Sequence, residues 1–200
     1  MARSRRFRRA VVVLAALALA GVLAWLVLDG RLPWAGGDAA APAATDPAAP
    51  GRGIPARPDD AFALTVTYVF DGDTIEARMQ EPNDIVTTAD PIRIRLIGID
   101  TPEGAPTPEC WAEEARAHLI ELLPEGATVW AAPDADTWDD YQRRLFNLWT
   151  DDGRFVNHEL VAAGSAEAIR VWPNVAFYDL LDDAQTHAEA SGAGQWGACP

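Results

Sequence analysis

Short apolar runs separated by polar turns make up the C-terminal two thirds of the chain. β-branched and aromatic residues are concentrated in five of these runs, which predict strands over 63–70, 74–79, 92–99, 127–132 and 144–150. Apolar residues at helical spacing predict three helices, over 108–122, 157–164 and 177–192. Five short strands with a helix between the third and fourth predict an α+β domain over 61–200, built on a partly open five-stranded barrel of the OB type.

The first predicted helix has a recognisable start signal. Thr107 has the form of an N-cap, and Pro108 follows at the first helical position, where its missing N–H costs nothing. Ala112, Ala115 and Leu119 then recur at helical spacing, so we expect them to face the core.

The first 60 residues follow a different pattern. Residues 1–9 hold five arginines and no acid, and residues 10–28 are an uncharged apolar run near the roughly 20 residues that span a bilayer. This order predicts a signal anchor, with 1–9 in the cytoplasm and the chain after Asp29 outside the cell membrane. A cleaved signal peptide is the alternative, and the domain would then be secreted. Residues 29–60 are rich in Ala and Pro and predict a flexible linker.

The charge balance argues against a nucleic-acid partner. The formal net charge is −14 and every basic residue is Arg. Phosphate binding usually relies on a basic face, so an acidic chain is unfavourable for it. Any anion site must therefore depend on local arginines.

The two cysteines, Cys110 and Cys199, favour one disulfide. Two cysteines in an exported domain typically pair, whereas in a cytosolic protein a reactive thiol would be the alternative. The predicted export of the domain makes the disulfide the preferred interpretation.

The stretch FDGDT at 70–74 carries more acid than a turn requires. Asp-Gly is a strong hairpin signal, which accounts for Asp71 and Gly72 but leaves Asp73 and Thr74 unexplained. Two carboxylates this close repel each other unless a cation or an arginine lies between them. A calcium site is therefore a candidate beside the simpler hairpin turn.

The stretch RLIGIDTPE at 95–103 ends a strand with further acids. Arg95 and Ile99 share one strand face, and Asp100 is the first residue beyond it. Alone, this could be an exposed arginine followed by an ordinary loop. Because both acidic stretches lie at neighbouring strand ends, Asp73 and Asp100 could converge on one ion.

A third motif, DDYQRRL at 139–145, would by itself be a solvated charged turn. The three motifs in this order and at these separations resemble the thermonuclease family of calcium-dependent nucleases. The segments DGRFVNHELVAAGSA (152–166) and GQWGAC (194–199) fit the same family, so the resemblance covers nearly all of 62–199. The resemblance implies an OB-fold barrel with packed helices.

The resemblance also implies a metal site. Asp73 and Asp100 would be carboxylate ligands of Ca²⁺, the backbone carbonyl of Thr101 would be a further ligand, and Asp71 would support them. Calcium prefers such sets of oxygen ligands.

Four further residues acquire roles through the resemblance. Glu103 would deprotonate or orient the attacking water, Arg95 and Arg143 would bind the scissile phosphate, and Tyr141 would position the substrate. Phosphodiester hydrolysis independently requires these types, because negative charge accumulates on the phosphate oxygens and a guanidinium contacts two of them at once.

The chain departs from the family pattern near the third motif. Gln142 stands where the family has Gly, which puts the aim of Arg143 in question, and Asp140 replaces a common basic residue. Where thermonucleases place stacking tyrosines, we expect Trp172 to offer a stacking face and Arg170 a charge.

These observations together predict a calcium-dependent endonuclease that hydrolyses DNA, with RNA as a further candidate substrate. Single strands should be preferred, and the products should carry 3′-phosphate and 5′-hydroxyl ends. The alternatives are a non-catalytic nucleic-acid-binding module and a calcium-stabilised envelope module of the same fold. The other predicted partner is the membrane, through the N-terminal helix, and no obligate protein partner is evident.

Overall fold

The computed structural model describes residues 53–200, which contain the whole predicted domain. The predicted basic segment 1–9, the predicted anchor 10–28 and most of the predicted linker lie outside the described residues. Within 53–200, no helix has both the length and the apolar character that a membrane crossing needs.

The β-structure consists of a five-stranded barrel and a two-stranded sheet. The barrel strands are β1 (Phe62–Val69), β2 (Thr74–Arg78), β3 (Ile92–Leu96), β5 (Thr128–Ala132) and β6 (Arg144–Thr150). The small sheet pairs β4 (Ile99–Asp100) with β7 (Glu167–Ala168). All five predicted strands are present in the barrel, and the prediction of a five-stranded barrel is confirmed. The strand predicted over 92–99 is too long, because it ends at Leu96 before the turn at Gly98, and Ile99 and Asp100 form β4 of the small sheet.

The barrel closes in the order β1-β2-β3-β6-β5, with β5 pairing back onto β1, so the predicted opening is absent. The β3–β6 pair is parallel and the other pairs are antiparallel. Ile75 and Ile94 are fully buried and face inward, while Glu76 and Arg93 lie on the opposite face of the same strands. Phe146 extends this interior core along β6.

Residues 53–200 form four helices, namely α1 (Ala112–Leu122), α2 (Val156–Ala162), α3 (Tyr178–Ser191) and the short α4 (Gln195–Ala198). The buried face of α1 consists of Ala112, Ala115, Leu119 and Leu122, as its spacing predicts. The predicted start at Thr107–Pro108 is wrong, because the helix begins at Ala112 after Trp111 in a left-handed conformation with φ 76°.

The late start of α1 has a local cause in the loop before it. The Glu103 N–H donates to Oε2 of Glu109 at 2.8 Å, and the Glu109 N–H donates to the Glu103 carbonyl at 2.9 Å. This reciprocal pair closes residues 103–109 into a loop, so Pro108 lies in the loop rather than in the helix.

A disulfide joins the start of α1 to the end of the chain. Cys110 and Cys199 are bonded with their Cα atoms 5.8 Å apart, as the cysteine usage predicts. The bond fixes the segment after α4 beside the loop that carries Glu103.

The chain segment before β1 packs on the barrel from residue 54 onward. The Nε1–H of buried Trp149 donates to the Pro55 carbonyl at 3.2 Å, and the Arg57 guanidinium lies 3.9 Å from the Trp130 ring centroid. The predicted linker to residue 60 therefore includes several residues that make specific contacts with the domain.

Candidate active site

Asp73, Arg95 and Asp100 form the centre of the site. Arg95 Nε lies 3.0 Å from Asp73 Oδ1, and its Nη2 lies 2.7 Å from Asp100 Oδ1. The β2–β3 register pairs Thr74 with Arg95, which brings the start of one strand beside the end of the other. The two acids thus converge on one cation, and that cation is a guanidinium.

Arg95 is held rigidly in this position. Its Nη1 donates to the carbonyls of Leu96 at 2.7 Å and Ile99 at 2.6 Å, and its side chain is only 12% exposed. Gly98 makes the turn between those carbonyls with φ 75°, a conformation that favours glycine. The orientation of the guanidinium is therefore fixed by the protein without bound substrate.

Asp73 is buried and strongly hydrogen-bonded. It accepts from the Thr101 N–H at 3.1 Å, from Thr101 Oγ1 at 3.2 Å and from Thr74 Oγ1 at 2.9 Å. Burial raises the pKa of Asp73 to about 6, against the opposing effect of Arg95, and the neighbouring carboxylates of Asp71 and Asp100 raise it further. Asp73 is thus mostly ionised at neutral pH and loses its charge on mild acidification.

The turn before Asp73 is shaped by Asp71 and Gly72. Asp71 Oδ1 accepts from the Asp73 N–H at 3.1 Å. A Cβ on Gly72 would lie 2.8 Å from Thr101 Cγ2 and 2.9 Å from Ala115 Cβ, so the turn can approach Thr101 this closely only with glycine. Asp71 supports the backbone that carries Asp73.

The donor set around Arg95 suits a hard cation. Asp73 and Asp100 present carboxylate oxygens that already share one positive group, and Thr101 follows directly with a backbone carbonyl. Within residues 53–200 no cluster of three or more His, Cys, Asp or Glu side chains has metal-binding geometry. A bound Ca²⁺ would therefore depend on the carbonyl and on water as well as on the two acids.

Glu103 lies on the exposed loop just after this centre. Its side chain lines a cavity of about 460 Å³ together with Asp71, which accepts from the Asp73 N–H, but Arg95 does not line this cavity. The Glu103–Glu109 backbone pair holds the loop at its base. Glu103 is accessible to water, as a group that acts on an attacking water must be.

A second cavity of about 240 Å³ brings Arg143 and Tyr141 together with Arg95. Arg143 Nε lies 2.6 Å from Asp139 Oδ2, while Asp139 Oδ1 accepts from the backbone N–H groups of Tyr141 and Arg143. Burial alone would raise the pKa of Asp139, but the hydrogen bonds and charge of Arg143 hold it below its usual value. Asp139 therefore stays ionised and fixes the hairpin that presents Arg143.

Gln142 adopts a left-handed backbone conformation, which glycine adopts without strain. Its φ is 62°, so the turn keeps its shape despite the substitution and Arg143 still lines the cavity. The predicted conflict at Gln142 is thus resolved by a strained backbone rather than by a redirected Arg143. Asp140 lines the same cavity and contributes a negative charge at its edge.

Trp172 and Arg170 do not line either cavity. Trp172 is 83% exposed, and Arg170 pairs with Asp179 at 3.2 Å. Ile169 and Val171 line the smaller cavity instead, because the Ile169 N–H donates to the Gly98 carbonyl and orients this segment. The alternation of apolar and polar residues over 169–172 is the sequence signal that separates Ile169 and Val171 from Arg170.

Comparisons with known proteins show the family to which the chain is similar. A model of the staphylococcal nuclease homologue family matches residues 93–198. The thermonuclease of Staphylococcus intermedius is 30% identical over 133 residues, which cover 66% of this chain and 74% of that protein. An uncharacterized endonuclease of Escherichia coli O157:H7 is 33% identical over 101 residues, covering 50% of this chain and 57% of that protein.

A further relative is much longer than this chain. Endonuclease YhcR of Bacillus subtilis (strain 168) is 30% identical over 141 residues, which are 66% of this chain. The matched region spans only 11% of that protein.

Proposed function

Because this chain belongs to the family of staphylococcal nuclease homologues, we propose that it is a nuclease that hydrolyses phosphodiester bonds in DNA. The single observation that carries the proposal is the position of Arg95. It touches two carboxylates of the candidate metal site and lines the same cavity as Arg143. A cation pair next to a paired-acid site is the arrangement that phosphate ester hydrolysis requires.

Arg95 and Arg143 bind the scissile phosphate in this proposal. Both are fixed by acceptors of the protein, Arg95 by two backbone carbonyls and Arg143 by Asp139. Preorganised donors need no reorientation as charge builds on the phosphate oxygens, and loss of one such donor typically costs about 10²–10³ in rate.

The proposed cofactor is Ca²⁺, held by Asp73, Asp100 and the Thr101 carbonyl. When bound, calcium supplies Lewis-acid polarisation of a phosphate oxygen and a template for the substrate. The pKa of about 6 at Asp73 means that this ligand set weakens as the medium is acidified below that value.

Glu103 acts on the attacking water. Its carboxylate takes a proton from the water as the oxygen bonds to phosphorus, a contribution typically worth about 10²–10⁴ in rate. The bond from phosphorus to the 5′ oxygen breaks, and that oxygen takes a proton from a solvent water, while Glu103 later releases its proton to solvent. The products carry a 3′-phosphate and a 5′-hydroxyl.

Single-stranded substrate suits the smaller cavity. Its volume of about 240 Å³, with Tyr141, Ile169 and Val171 in the lining, accommodates a splayed nucleotide rather than a stacked base pair. RNA is a further candidate substrate on the same reasoning.

We also propose that the domain acts outside the cytoplasmic membrane. The apolar segment 10–28 after an arginine cluster favours a signal anchor, and secretion follows if the segment is cleaved. The Cys110–Cys199 disulfide is consistent with an oxidising compartment.

The test uses the full chain with plasmid DNA and denatured DNA, in calcium and in chelator. We expect calcium-dependent cleavage, faster on denatured DNA, and loss of cleavage in Glu103→Gln. Arg154→Ala is the matched control, since Arg154 pairs with Asp152 away from both cavities. Binding without cleavage would instead indicate a binding module, and calcium-raised melting without DNA affinity a structural domain.

A further inference from the structure

The outer face of the barrel leads from Arg95 to an aromatic surface on β1. The strand registers pair Tyr68 with Glu76 and Glu76 with Arg93, so these three side chains form one row across β1, β2 and β3. Arg95 lies two residues beyond Arg93 on the same face of β3. A strand bound at Arg95 can therefore continue along this face without crossing the core.

Aromatic rings and arginines alternate at the end of this row. The Tyr68 and Phe70 rings meet edge to face with centroids 5.0 Å apart. The Arg93 guanidinium lies 4.2 Å from the Phe70 centroid, and the Arg116 guanidinium lies 5.9 Å from the Tyr68 centroid. We call Tyr68, Phe70, Arg93 and Arg116 the Tyr68 platform.

The platform is rigid and accessible. Arg116 donates from Nε to the carbonyls of Val69 and Phe70 at 3.2 and 3.1 Å, and from Nη2 to Val69 at 3.0 Å. Tyr68 is 43% exposed, so its ring is accessible to a ligand. Within residues 53–200, neither Arg93 nor Arg116 forms a salt bridge with an acid.

The platform opens into the cavity that contains Glu103. Tyr68, Phe70 and Arg116 line this cavity of about 460 Å³ together with Asp71 and Glu103. The smaller cavity, with Arg95 and Arg143, has a lining that shares no residue with it. Two separate cavities thus adjoin the Asp73 centre, one through Arg95 and the other through Asp71 and Glu103.

We propose that the Tyr68 platform is a second nucleotide subsite, in which a base of the substrate strand beyond the scissile phosphate stacks on Tyr68. This inference rests on the proposed nuclease function. The occupant is a base rather than a phosphate, because the other charged lining residues, Asp71, Glu103 and Glu113, are acids. Carboxylates repel phosphate but accept hydrogen bonds from exocyclic amino groups, while exposed Arg93 can meet the backbone phosphate.

The experiment compares full-length Tyr68→Leu and Tyr68→Phe on a single-stranded decanucleotide and on a dinucleotide. Loss of one stacked base lowers kcat/KM of Tyr68→Leu on the decanucleotide by about tenfold, through KM. The dinucleotide is affected far less, and Tyr68→Phe, which keeps the ring, behaves like the wild type. Tyr178→Leu is the control, because Tyr178 also lies beneath an arginine, Arg170 at 4.3 Å, but outside both cavities.

Binding of the labelled decanucleotide in chelator, followed by fluorescence anisotropy, separates this inference from the proposed function. If the wild type cleaves DNA but Tyr68→Leu matches it in both assays, the subsite is refuted and the nuclease function is supported. If nothing is cleaved but Tyr68→Leu still weakens binding of the decanucleotide, the subsite is supported and the nuclease function is refuted. A Tyr68-dependent dimer with unchanged DNA binding would show a protein partner and refute the subsite.

Discussion

At the scale of single residues, Gln142 is a place where the chain accepts strain to preserve its site. A non-glycine residue in the left-handed region costs roughly 1–2 kcal/mol, and Gln142 has φ 62°. Glycine removes that cost but adds flexibility to the unfolded chain. The hairpin that presents Arg143 is therefore less stable than its family form.

Replacing Gln142 with glycine should stabilise the protein. We expect Gln142→Gly to raise the free energy of unfolding by about 0.5–1 kcal/mol, measured by urea denaturation. Gln142→Ala keeps the backbone strain and should stay near the wild type. Equal stability of all three proteins would show that the turn is unstrained.

His118 on α1 is a partly buried histidine whose Nδ1 lies 3.0 Å from Ser165 Oγ. Burial lowers the pKa of His118 from its usual value of 6.5, although Glu121 and Glu159 oppose the shift. The folded protein thus takes up this proton less readily than the unfolded chain. The resulting stabilisation is present above about pH 6.5 and is lost as the pH falls through the lower folded value.

We expect His118→Gln, which cannot gain this proton, to lose less stability than the wild type between about pH 7.5 and 5. The measurement is the free energy of unfolding at several pH values. Parallel curves for the two proteins would contradict the assignment. Because His118 lines neither of the two cavities at the candidate site, the control is unchanged nuclease activity at neutral pH.

At the scale of elements, the disulfide ties α1 to the C-terminus across 89 residues of sequence. A long loop closed in the unfolded state gives a large entropic effect, roughly 4–5 kcal/mol in the chain-entropy model and often less in practice. We expect the Cys110→Ser, Cys199→Ser double variant to lose up to that amount in guanidinium unfolding. A loss below about 0.5 kcal/mol would show that the unfolded state is already compact.

The segment before β1 is the element that sequence patterning assigned to the linker. The segment is rich in Ala and Pro, but it makes two specific contacts with the barrel. The Trp149 Nε1–H donates to the Pro55 carbonyl, and the Arg57 guanidinium lies over the Trp130 ring. A chain that begins at residue 60 should be less stable by about 1–3 kcal/mol than one that begins at 53, because the buried Trp149 donor loses its acceptor. Equal melting of the two would show that these contacts contribute nothing.

Sequence patterns predicted which segments form strands and helices better than they predicted where those segments begin or which of their side chains line a cavity. Runs rich in β-branched and aromatic residues identified the barrel strands, and helical spacing identified the buried face of α1. The start of α1 was missed because a loop closed by Glu103 and Glu109, and not the Thr107–Pro108 cap signal, decides where the helix begins. Ile169 and Val171, which line the smaller cavity, were missed because the hydrogen bond from the Ile169 N–H to the Gly98 carbonyl places this segment.

At the scale of the whole molecule, the net charge of −14 opposes approach of a polyanion. Arg95 and Arg143 act only at short range, whereas the acidic surface acts over the Debye length, about 10 Å at 0.1 M salt. The molecule should therefore bind substrate locally without long-range attraction.

Salt should accordingly affect this protein differently from a basic nuclease. We expect kcat/KM on single-stranded DNA to stay level or rise as salt increases from about 10 to 100 mM, because screening weakens the repulsion. Initial rates at fixed calcium and low substrate measure it. A steep decline with salt, as for a basic DNA-binding protein, would contradict this account.

Arg95, set between Asp73 and Asp100, is the catalytic cation in the proposed nuclease mechanism. The most direct test is kcat for cleavage of single-stranded DNA in saturating calcium by the wild type, Arg95→Ala and the control Arg154→Ala, each checked for cooperative melting. We expect kcat of Arg95→Ala to be lower than that of the wild type by a factor of about 10²–10³, and kcat of the control to be unchanged. A folded Arg95→Ala variant that cleaves as fast as the wild type, or a wild type that does not cleave, would contradict it.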